Sequence, residues 1–127
     1  MVARIYLIFN FLCIGLIGLG YLYDPNLLLG QYGLEAGSSG MDNMLRSTYG
    51  GVFIAVAFIF LVGFLNANRR SDALGIALIF FAGLAVGRLA SILSVGLPPS
   101  SIMPLLYYEI VAALIASGLY FRPSQTA

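Results

Sequence analysis

Histidine, lysine and tryptophan are missing from this sequence, cysteine occurs once, and charge of either sign is scarce. Each shortage excludes something. Without histidine there is no Ser-His-Asp triad, no imidazole base and no imidazole ligand for a metal. One thiol, Cys13, can neither close an intramolecular disulfide nor supply a paired-thiolate metal site, and inside an apolar run it reads as a small buried hydrophobe. No metal, cofactor or catalytic residue is therefore expected. Six Arg against five Asp and Glu give a net charge of +1 with no basic stripe, which argues against nucleic-acid binding. Charged residues make up 9% of the 127 and hydrophobic ones 61%, where a soluble domain has about 25% and 45–50%. So few charges cannot clothe a core of this size. Neither an ordinary soluble domain nor a disordered chain fits, and lipid is the expected solvent.

What is present is four apolar stretches, over residues 5–23, 45–65, 73–93 and 103–121. Each holds roughly 19–21 residues, enough to cross a ~30 Å hydrocarbon core at 1.5 Å per residue. Backbone groups in lipid must find partners within their own segment, so the stretches are helices. The expected fold is all-α: an antiparallel four-helix transmembrane bundle forming a single integral membrane domain over 1–127. Asp24-Pro25 opens a short amphipathic segment, 26–32, with Gly33 as its stop, and we expect a short interfacial helix in this first outer loop. Residues 36–40 read as a flexible loop, Asp42 or Asn43 as the cap of the second helix, and Ser71 or Asp72 as the cap of the third.

Arg4, Arg69, Arg70 and Arg122 flank helix ends on one side of such a bundle, while the other side has only Arg46 at a helix start. The positive-inside rule then places both termini and the turn between the second and third helices in the cytoplasm of a bacterial inner membrane. The loops over 24–44 and 94–102 face outward. A cleaved leader is not expected, because the first apolar run is long and no small-x-small site precedes a polar start.

Loops, caps and topology account for most of the charges, and Arg46, Arg88 and Glu109 are left over. Helical rise puts Arg88 ~8 Å inside the outer end of the third helix and Glu109 ~9 Å into the fourth. Tyr49, Ser91, Tyr107 and Tyr108 fall at similar levels, and Tyr21 and Asp24 approach from the first helix. An ionisable group at that depth faces the bundle interior with a partner. Ala112, Ala113, Ala116 and Ser117 follow Glu109 on one face as a stripe of small residues, and Gly83 and Gly87 form a small pair before Arg88. Glu109 is expected to bond Arg88, or both arginines, in bidentate geometry. Arg46 can instead pair locally with Asp42 four residues earlier.

The plain interpretation is an ion pair that fixes helix register. The sharper one counts two arginines against one carboxylate, a surplus positive charge suited to an anionic headgroup or small carboxylate between tyrosine walls. The leading expectation is a non-enzymatic module that binds a lipid headgroup or small amphiphile at Arg46, Tyr49, Arg88, Ser91, Tyr108 and Glu109. The alternatives are an accessory subunit or homo-oligomer packing through Gly-rich helix faces, and a small proton-linked transporter using Glu109. The tyrosines near span ends, Tyr21, Tyr23, Tyr32, Tyr107, Tyr108 and Tyr120, also suit an interfacial aromatic belt. Gly15-x-x-Gly18-x-Gly20 reads as a packing face, within the bundle or against another subunit.

Arg46-Ser-Thr-Tyr49-Gly50-Gly51 at the second helix, Gly87-Arg88-x-x-Ser91 with Gly96-x-Pro98 after the third, and Glu109 in the fourth carry a resemblance. In order and spacing the chain resembles small bacterial four-helix membrane proteins grouped as a domain of unknown function, with a layout similar to the DoxX-like membrane proteins. The resemblance spans residues 5–121. It implies a four-helix inner-membrane fold and a shared polar set of Arg46, Tyr49, Arg88 and Glu109, and it implies no activity. Members often carry an acidic residue before the glycine that follows the third helix; Val95 stands there in this chain.

Overall fold

The protein is described by a computed structural model over residues 1–122, and every regular element among these is helical. Helix α1 spans Val2–Tyr23. Asp24 ends it and begins α2, Pro25–Leu29, by accepting a hydrogen bond from the Asn26 amide at 3.0 Å, with Pro25 in the first turn, where it removes no helical bond. A 3₁₀ turn, Gly30–Tyr32, follows and stops at Gly33, whose φ of 71° suits only glycine well. The segment expected as one helix over 26–32 is thus two short pieces. Asn26 Oδ1 then accepts from the Ala36 amide at 2.8 Å and folds the loop back on itself.

Helix α3, Ser39–Leu45, starts six residues before the apolar stretch does. Its cap is Ser38, which accepts from the Met41 amide at 3.2 Å, rather than Asp42 or Asn43. Those two lie inside the helix, and Asp42 becomes free to pair elsewhere. A π-helical segment, Arg46–Val52, continues α3 without a break into α4, Phe53–Leu65. After Leu65, Asn66 accepts from the Asn68 amide at 2.9 Å and opens a 3₁₀ turn, Ala67–Arg69, which runs directly into α5, Arg70–Val95. Neither Ser71 nor Asp72 is the cap. Gly96 closes α5, and α6 spans Met103–Tyr120. Hydropathy marks where a helix is apolar; the caps sit farther out, in polar flanks, and so the second and third helices outrun their apolar stretches.

Four helical stretches, Val2–Tyr23, Ser39–Leu65, Ala67–Val95 and Met103–Tyr120, are long and apolar enough to cross a membrane. The most extensive pairings are α1 with α4 and α5 with α6. A Cβ at Gly15 would lie 3.6 Å from Ala57, one at Gly18 would press on Ile54, and one at Gly50 would press on Leu22. Late residues of α1 therefore meet early residues of the second span. The Gly15–Gly20 face is used up inside the protein, since Gly20 packs on Leu28 as well. Leu7, Phe60, Ala77, Phe81 and Ala116 are fully enclosed, whereas Leu16 and Ile79 are 68% and 74% exposed. An apolar interior with an apolar exterior suits lipid, where close contact of small residues, rather than water exclusion, holds helices together. Gly83 and Gly87 depart from expectation here. Both are exposed, with no atom near enough to meet a Cβ among the described residues.

Candidate functional site

The expected pair forms. Arg88 of α5 places Nε 2.8 and 2.7 Å from the two carboxylate oxygens of Glu109 on α6. The Glu109 side chain is 5% exposed and that of Arg88 is 31% exposed. Glu109 points inward because it shares a face with buried Ala112 and Ala116, the small stripe read from the sequence. The geometry is not the expected two-pronged fork. One nitrogen, Nε, is shared between both oxygens, and among the described residues Nη1 and Nη2 of Arg88 have no protein partner.

Arg46 is elsewhere. Its Nε lies 2.7 Å from Asp42 Oδ2, and its Nη1 donates to the carbonyls of Leu22 and Tyr23 at the end of α1. A carboxylate one turn away on the same helix needs no rearrangement to be reached. Each arginine thus has its own carboxylate, and the anticipated surplus of positive charge at Glu109 disappears.

Tyr49 does approach the pair, held by the π-helical segment. Its ring stacks at a tilt on Tyr21, 5.2 Å between centroids, and meets Phe53 edge-on at 5.3 Å. Tyr108 is also beside Glu109, but its hydroxyl is committed: it donates to Asn10 Oδ1 at 2.6 Å. Asn10 donates to the Tyr6 carbonyl at 2.8 Å, and the Tyr6 hydroxyl donates to the Ala112 carbonyl at 2.9 Å. This buried relay ties α1 to α6. Tyr108→Phe should therefore leave the Asn10 oxygen without its donor and cost about 1–3 kcal/mol, measured as unfolding free energy in mild detergent. No loss would mean the relay is dispensable. Ser91 is exposed on the far side of Arg88 and shares a groove of about 70 Å³ with Pro98, Ile102 and Met103. It does not reach the Glu109 side.

A cavity of about 90 Å³ lies between the helices at the ion pair. Ile14, Ile17, Leu28, Phe53, Phe81, Leu84 and Leu105 give it apolar walls, and Tyr21, Tyr32, Tyr49, Tyr108, Arg88 and Glu109 give it a polar side. A second groove of about 180 Å³ shares Tyr21, Tyr32, Tyr49, Arg88 and Leu105 and extends to Leu34, Leu45 and Ile102. Arg88 borders all three spaces.

The family model described as "Domain of unknown function (DUF4345)" matches residues 2–120. The chain belongs to the DUF4345 family. No curated protein and no solved structure matches it. As a DUF4345 protein it carries a family description that states no activity, so any chemical interpretation rests on the site itself. That site includes residues the sequence left outside the candidate set. Asn10 had a visible signal, being the lone amide in an otherwise apolar first span. Tyr21 and Tyr32 had a weaker one, because belt tyrosines and cavity tyrosines look alike in sequence. Among the described residues no cluster of His, Cys, Asp and Glu has the makings of a metal site.

Proposed function

We propose that this DUF4345 protein is a non-enzymatic module of the bacterial inner membrane that binds a small amphiphile. The proposed topology is an antiparallel four-helix bundle forming one domain, with both termini cytoplasmic, α2 at the outer interface and the Arg88–Glu109 cavity in the outer half. One observation carries the reading: Arg88 is fixed by Glu109 through Nε alone and keeps its Nη1 and Nη2 donors for a ligand where an apolar cavity meets two grooves. An amphiphile's polar end fits those donors, and its chain fits the walls of Ile14, Ile17, Phe53 and Leu84. Size limits the guest. A cavity on the order of 150 Å³ accommodates benzene, so the space of about 90 Å³ is too small for a ring, and it suits a single chain that runs on into the adjoining groove of about 180 Å³.

Arg88→Lys tests this directly. It keeps a cation for Glu109, so the bundle should fold, but replaces the planar fork whose Nη1 and Nη2 reach past the carboxylate with a single ammonium drawn onto Glu109, so that donors are no longer held toward the cavity. Native mass spectrometry from mild detergent should show copurifying single-chain amphiphile falling by about tenfold or more, the scale of one lost charge-assisted hydrogen bond. Unchanged retention in a folded Arg88→Lys protein would end the proposal.

A second reading, an accessory subunit in a larger membrane complex, rests on the Gly83 and Gly87 face of α5, which has no close neighbour among the described residues. A photo-crosslinker at Val86 should then capture a discrete protein neighbour; capture of lipid alone would count against it. Proton-linked transport finds no comparable support, because Phe81, Phe60, Leu7 and Ala116 close the core beyond Glu109.

A further inference from the structure

Taking the amphiphile reading as its basis, we infer that the site selects an uncharged, hydrogen-bond-accepting head, such as an alcohol or ester oxygen on a single chain, and discriminates against an anionic one. Arginine beside a cavity ordinarily suggests an anion. Here the charge is already answered. Arg88 lies 2.7 Å from Glu109 and Arg46 lies 2.7 Å from Asp42, both within direct ion-pair distance. A head accepting from Nη1 or Nη2 of Arg88 enters a field in which guanidinium and carboxylate largely cancel. If that head were anionic, it would lose its hydration and meet the Glu109 carboxylate on the same cavity wall. A neutral oxygen loses far less on leaving water and suffers no such repulsion.

The rest of the polar lining has the same character. Among the described residues, the hydroxyls of Tyr21, Tyr32 and Tyr49 have no protein hydrogen-bond partner, and all three residues border both the cavity and its adjoining groove. A hydroxyl can donate or accept, so these tyrosines suit a head that does both, as an alcohol does. They bring no charge. The site therefore recognises hydrogen-bonding pattern and chain, with Glu109 serving to remove the preference for anions that Arg88 alone would create.

The test uses two probes of equal chain length, 1-decanoylglycerol and decanesulfonate, at matched mole fraction in the detergent micelle. Native mass spectrometry counts the adducts on the full chain. Wild type is expected to hold the glycerol ester over the sulfonate by about tenfold, and Glu109→Gln to shift that ratio toward the sulfonate by about tenfold or more, the scale of one near charge at intermediate permittivity. Equal or preferential retention of the sulfonate by wild type would overturn the inference, as would a ratio that Glu109→Gln leaves unchanged. Should Glu109→Gln fail to fold, the wild-type ratio alone decides. Retention of neither probe by wild type, or of both undiminished by Arg88→Lys, would instead overturn the amphiphile reading beneath it.

Discussion

Arg88→Met should lower the stability of the bundle by about 3–5 kcal/mol, the cost of stranding a buried carboxylate. Glu109 is 4% exposed overall, and Arg88 is its sole ion-pair partner among the described residues, so a buried carboxylate loses its counter-charge once the guanidinium is gone. Glu109→Gln should cost less, because the Arg88 side chain is 31% exposed and can still reach polar surroundings. The combined Arg88→Met, Glu109→Gln protein should then recover part of the loss, leaving a coupling of about 1–3 kcal/mol. Unfolding free energies of the four proteins in one detergent measure it. Simple addition of the two single losses would mean that the pair has no energetic existence, and the helix register must then be fixed by packing alone.

An effect of similar size is expected from a single methyl group. A Cβ at Gly63 would overlap the Cβ of Ala73 and come within 3.1 Å of Leu7. Ala73 is 1% exposed and its Cβ is fixed to the backbone, so α4 and α5 would have to move apart. Gly63→Ala should cost about 3 kcal/mol or more, at the upper end of overpacking. Ala73→Gly in the same chain should restore much of it, because it vacates the same space. Gly83→Ala supplies the contrast: nothing among the described residues lies near a Cβ there, and helix propensity favours alanine, so its stability should hold or rise by about 0.5–1 kcal/mol. Thermal and denaturant unfolding in detergent separate the two glycines. Equal sensitivity at both positions would contradict the packing described.

Gly63 and Gly83 also show where sequence stops being informative. Both stand in apolar helical stretches, and spacing alone treats Gly83-x-x-x-Gly87 as the better contact motif. Only the neighbouring helix decides which glycine is pressed. The Arg88–Glu109 pair was legible for the opposite reason: few charges can share an apolar bundle, and physics forces them together. Arg46 was legible only as a choice between Asp42 and Glu109, since distance along the chain favours one and charge counting favours the other. Local geometry prevailed. The π-helical segment left no mark that could be read, because Gly50 and Gly51 permit it without demanding it, and the packing of Tyr49 on Tyr21 and Phe53 is a tertiary matter. The apolar spans followed from composition, while their true starts at Ser39 and Arg70 depended on caps outside them.

Arg46 has one more consequence, for the order in which the chain can be assembled. The last carbonyls of a helix have no partner within it, and those of Leu22 and Tyr23 are taken by an arginine that follows them by more than twenty residues. During synthesis α1 therefore leaves its end unlatched until the second span has emerged and turned back beside it. The latch also needs Asp42 to hold the guanidinium in place. A nascent chain halted just short of residue 46 would leave the end of α1 unlatched, whereas one halted beyond the second span would carry a clasped hairpin.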